Sequence, residues 1–134
     1  MTMATRKTAS STKSADELAE ALNKSQLKNY LDSLEPSARK FLNELRDLIR
    51  ACARGATDSF AYGLPEIRLK GETLFRYEAM KRHARLSPIP SAIDRAELKG
   101  LRATQDAIQL PFSKPLPEAV LEKLVKARIA ELGK

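Results

Sequence analysis

The stretch "EPSARKFLNELRDLIRACARGA", residues 35–56, constrains this chain more than any other. Ala38, Phe41, Leu42, Leu45, Leu48, Ile49 and Cys52 recur at steps of three and four. They therefore share one face of a helix of about five turns, with arginines and acids on the other. Pro36 stands where a first helical residue benefits from a preset φ, and Gly55 stands just past the end. A helix so strongly sided must lay its apolar stripe on another layer.

The following segment supplies that layer. From Thr57 the period drops to two, through "TDSFAYGLPEIRLKGETLFRYEAMKRHARLSP", with breaks at Gly63, Pro65, Gly71 and Pro88. "RLKGETLFRY" reads as a hairpin turning at Lys70-Gly71, with Phe75, Tyr77 and Ala79 on one face. In "KRHARLSP", Ala84 and Leu86 point one way and His83 and Arg85 the other, which puts His83 on the wetter side. "SAIDRAELKG" is a short helix between Ser91 and Gly100, and "DAIQLPFS" one more strand around Ile108 and Leu110. Pro117 opens a closing helix with Val120, Leu121, Leu124, Val125 and Ile129 on its core face. This order predicts an α+β fold, a two-layer sandwich in which helices cover one face of a mainly antiparallel sheet.

Ahead of the long helix, residues 1–13 lack an apolar pattern and are expected to form a disordered basic leader. The single folded domain is expected over 14–134, starting at "SADE", where Ser14 and Glu17 have capping-box spacing. Ala15, Leu18, Ala19 and Leu22 line a short helix ending near Asn23, and Leu27, Tyr30, Leu31 and Leu34 line a second one.

With 134 residues the chain is one domain, and 43% hydrophobic against 31% charged residues suits a globular protein. No apolar run approaches the ~18 residues of a membrane span, and the N-terminus lacks the apolar core of a secretory signal. The one cysteine, Cys52, excludes an internal disulfide and a cysteine-built zinc site, and it falls on the helix stripe as a small core residue. The cytoplasm is the expected compartment. Net charge is +7, of which Arg6, Lys7 and Lys13 supply three in the leader, leaving +4 for the remainder (7 − 3). That surplus permits attraction to anions without demanding it.

Several short motifs resemble the YdhG-like domain family, grouped with the YjbR and CyaY-like superfamily. They are "YL" at 30–31, "SFAYGLPEIRLKG" at 59–71, "KRH" at 81–83, "IQLPFSKPLP" at 108–117 and the "LVKARIAEL" ending. "YGLP" resembles the family's Tyr-Gly-Met-Pro, and "KRH" its Lys-x-His. The resemblance runs from about Asn29 to the end and implies the same α+β sandwich. It also implies a domain of unassigned function, with one branch described as a frataxin-like iron chaperone. Two positions depart from the family pattern. Ser87 precedes Pro88 where an aromatic is usual, and Ala103–Asp106 replace a Thr-Ser-Lys-Gly turn.

Of the candidate chemistry, His83 comes first, as the only histidine. An imidazole can act as base or metal ligand, but Lys81, Arg82 and Arg85 repel a divalent cation and disfavour a charged ring. Two readings stand: a neutral His in an anion-binding patch with Lys81, or a strand residue bonded locally. At "YGLP", Gly63 admits unusual backbone angles and Pro65 extends Leu64, which either holds the Tyr62 hydroxyl at a pocket mouth or makes an ordinary turn. The expected ligand-binding residues are thus Tyr62, Gly63, Pro65, Lys81 and His83, around a small or anionic ligand. No catalytic set and no metal site is expected, since no known triad order, phosphate loop or metal motif occurs. Iron enters only through the resemblance; hard cations need grouped carboxylates, and Glu44 and Asp47 have ion-pair spacing to Lys40 and Arg50 instead. Nucleic acid is the competing partner class. Arg68, Lys70, Arg76, Lys81, Arg82 and Arg85 fall within eighteen residues with Phe75 and Tyr77 between them. The chain is expected to act as a monomer or homodimer.

Overall fold

A computed structural model describes residues 2–98 and 100–133, and for residues 2–16 the backbone alone. Helix α1 (Thr2–Asp32) leads into α2 (Pro36–Cys52), then strands β1 (Thr57–Ala61), β2 (Leu64–Leu69), β3 (Glu72–Ala79) and β4 (His83–Ser87). A 3-10 turn (Arg95–Leu98), β5 (Ile108–Pro111) and α3 (Glu118–Glu131) complete the fold. The five strands form one sheet in sequence order, each antiparallel to the next. This is the α+β sandwich read from the periodicity.

The α2 stripe behaves as its spacing demands: Leu42, Leu45 and Ile49 have no exposed surface. They pack on Ile67, Phe75, Tyr77, Ala84, Leu86, Ile108 and Leu110 from the sheet and on Leu121, Leu124 and Val125 from α3. Cys52 is half-buried at the helix end, and burial pushes its thiol up, which favours the protonated form.

The β1–β2 and β2–β3 turns each use two residues of positive φ, Tyr62-Gly63 (54° and 79°) and Lys70-Gly71 (50° and 82°). That geometry matches the right-handed twist of the flanking strands, and glycine adopts it without a Cβ penalty.

The N-terminal helices differ from expectation. α1 is continuous, without a break at Asn23, because no glycine or proline occurs before Pro36 to stop it. Its contact with the core begins at the buried Leu27 and Leu31, whereas Leu18 and Leu22 stay 69% and 58% exposed. Tyr30 packs on Phe60, and its hydroxyl accepts the Ala79 N–H at 2.9 Å, tying α1 to β1 and β3. The boundary expected between residues 13 and 14, like the Ser14 cap, falls where side chains lie outside the described residues.

Candidate functional site

The sheet carries its basic residues in two different ways. On the face away from the helices, Glu66 is only 1% exposed and sits between Arg68 (3.1 Å) and Arg76 (3.2 Å). The Thr73 hydroxyl approaches the same carboxylate at 3.4 Å, and Arg85 pairs with Glu78 at 3.4 Å. Arg128 of α3 is also committed, donating to the carbonyls of Thr73 and Leu74 at 2.9 Å each. Under α1, Asp58 accepts from Arg50 at 2.9 Å and lies 3.3 Å from Arg46 Nε, near enough for an ion pair but not aligned as a hydrogen bond. The buried Tyr77 hydroxyl is beside this group; burial, then the Asp58 charge, push it well above its ordinary range, so it stays neutral. These groups hold the fold together.

A cavity of about 540 Å³ opens elsewhere, where the β3–β4 turn, β5, residues 100–102 and residues 114–117 converge. Arg82 and His83 line it from the turn and the start of β4, Gln109, Leu110 and Pro111 from β5, and Phe41 from α2. Leu101, Arg102, Lys114 and Pro115 close the other sides. No aspartate or glutamate is among the lining residues.

Each basic residue is fixed by its backbone around β5. The Arg82 carbonyl accepts the Phe112 N–H at 3.0 Å, the Arg102 carbonyl accepts the Gln109 N–H at 2.8 Å, and the Lys114 N–H donates to Pro111 O at 3.3 Å. Among the described residues, the side chains of Arg82, His83, Arg102 and Lys114 have no hydrogen-bond or ion-pair partner. The pattern is three fixed attachment points and free cationic ends. Such an arrangement can receive an anion by charge-assisted hydrogen bonds.

No protein-family model matches the chain, and no curated protein is significantly similar to it. Among solved structures, the chain is similar to the crystal structure of a protein of the DUF1801 family, YdhG, from Bacillus subtilis. The two superpose with a TM-score of 0.72 at 19% sequence identity, over 80% of this chain and 90% of that one. The fold is YdhG-like.

Within this YdhG-like fold the five expected ligand residues separate. His83 lines the cavity; Lys81, its neighbour by two positions, is exposed and does not. Tyr62 and Gly63 are exposed at the β1–β2 turn, and Pro65 is buried in β2. Tyr62 is 91% exposed, and its ring is covered on one face by the Arg76 guanidinium, 5.4 Å from the centroid. The β1–β2 and β3–β4 turns share one end of the sheet, but Tyr62 is absent from the cavity beside His83. Alternation along a strand shows which face a side chain takes, not which turns share a concavity.

Sequence reasoning named neither Arg102, Lys114, Gln109 nor Phe41 as site residues. Gln109 and Lys114 lie inside "IQLPFSKPLP", so that motif was the one usable signal. Arg102, one basic residue in a loop, carried none. Among the described residues, no group of three or more His, Cys, Asp or Glu is placed to hold a metal ion, and no helix is long and apolar enough to cross a membrane.

Proposed function

We propose that this chain is a YdhG-family protein of the cytoplasm that binds a small anionic ligand without transforming it, in the cavity beside His83. One observation carries the reading. Arg82, Arg102 and Lys114 arrive from three separate segments, surround one concavity with His83, and meet no carboxylate there. Cations gathered without internal neutralisation repel one another, and an anion relieves that repulsion. Iron handling of the frataxin kind rests on the resemblance alone, since the cavity offers no carboxylate ligands to a hard cation. Nucleic-acid binding is supported less, because Arg68, Arg76 and Arg85 on the open sheet face already hold Glu66 and Glu78.

The test is titration with inorganic phosphate, followed by calorimetry and by backbone amide shifts. Shifts are expected at residues 82–83, 101–102 and 114, and Arg102→Gln weakens binding about tenfold, the loss of one charge-assisted contact. Phosphate that leaves those amides unmoved overturns the reading.

A further inference from the structure

We infer that the ligand is an amphiphilic organic acid, an anionic head at the cavity rim with a hydrocarbon body laid along its apolar wall; this rests on the anion-binding reading above. The cations and the apolar residues of the cavity are separated by depth. Arg82, Arg102 and Lys114 are exposed, whereas Leu110 is fully buried and Phe41 is 7% exposed. The floor is also rigid. Phe41 stacks edge-on against Phe112 at 5.1 Å, and Leu110 is held in the β4–β5 ladder opposite Ala84.

A bare inorganic anion would occupy the rim and leave the apolar wall of Leu101, Pro111 and Pro115 facing water. A cavity of about 540 Å³ lies within the size range of pockets for organic ligands, which are mostly apolar with a few polar groups fixing orientation. The half-buried Leu101 and Pro111 wall the space between rim and floor. Gln109 adds one neutral amide there, suited to a hydroxyl or carbonyl on the body of the ligand.

The test is a chain-length series of soluble alkyl phosphates, methyl to hexyl, with the matching carboxylates, titrated by calorimetry against the full chain. Affinity is expected to rise roughly fourfold per methylene until the apolar wall is covered, the increment of burying one methylene. Leu101→Asn is expected to weaken hexyl phosphate about tenfold and to flatten the chain-length series, since hydrocarbon contact is removed. A flat series, with phosphate and hexyl phosphate binding equally, overturns the amphiphile and leaves the anion site standing. If no anion binds at all, the underlying reading fails instead. Sedimentation with anionic phospholipid vesicles, in the absence of hexyl phosphate binding, assigns the head group to a membrane surface and overturns a free solute.

Discussion

Arg68 and Arg76 on β2 and β3, and Arg82 at the next turn, lie within fifteen residues of one another (68 to 82) and serve opposite purposes. The first two converge on Glu66, a carboxylate the fold has almost wholly removed from water. Arg82 converges with Arg102 and Lys114 on empty space. Net charge treats them alike, and so does a basic run in the sequence. What separates them is whether the fold supplies a counter-charge. A buried carboxylate demands compensation, because an unpaired one costs more than its contacts return. Cations left uncompensated at the mouth of a cavity impose no such demand on folding, since water reaches them. On the anion-binding proposal, a ligand supplies the counter-charge that the fold does not.

Removing Glu66 is the largest expected disturbance. Glu66→Ala strips Arg68, Arg76 and Thr73 of their shared acceptor. The two guanidiniums are 37% and 42% exposed, so water partly replaces the carboxylate and the loss is moderated. A decrease of about 2 kcal/mol in unfolding free energy is expected by urea denaturation, with phosphate affinity unchanged. Arg102→Gln should show the mirror image, lost affinity at unchanged stability. If Glu66→Ala also abolished phosphate binding, the two basic groups would be one system.

An intermediate effect is expected at Glu131, which accepts from the Ser91 N–H at 3.0 Å, the Ser91 hydroxyl at 2.8 Å and Arg128 at 2.7 Å. It ties the loop after β4 to α3, and neither Glu131 nor Ser91 lines the cavity. These bonds, the Ser91 N–H first, hold its carboxyl below the usual range. A carboxyl lowered in the folded state stabilises above its unfolded pKa, and that contribution is lost as pH falls through the folded value. Glu131→Gln is therefore expected to cost at most about 1 kcal/mol near neutrality, since the residue is exposed and water takes up part of the loss, and the gap to the parent should close as pH falls through the folded-state value. Denaturation curves at neutral and at acid pH check this. A gap that persists in acid would assign the loss to packing.

The sandwich was legible because its signals are local. Seven apolar positions on α2 and the alternation from Thr57 to Ser87 each specify a buried face without knowledge of the partner. α1 was less legible, since the weaker helix formers Asn23 and Ser25 permit either a break or a continuous helix. The candidate site was least legible. "KRH" brought Lys81, Arg82 and His83 together in the chain, but only the latter two line the cavity. Arg102 and Lys114 join them through β5, which binds residue 102 along one edge and residue 82 beyond its end. Those are register facts, and register belongs to the folded sheet rather than to any one strand.

Tyr62 gives the smallest expected effect and the sharpest separation of the two regions. Its φ of 54° lies in the left-handed region, where a bulky residue is strained and asparagine is tolerated. Tyr62→Asn relieves that strain and matches the Asn-Gly preference of a hairpin with two positive φ values. Against this stands the loss of the Arg76 guanidinium over the ring, worth about 0.5 kcal/mol at so exposed a place. The two nearly cancel, so stability should stay within about 0.5 kcal/mol of the parent, on the stabilising side. Phosphate affinity should not change, because Tyr62 lies outside the cavity. A tenfold loss of affinity would instead join the "YGLP" turn to His83 as a single binding surface. The free cations at the cavity would then be only half of the site.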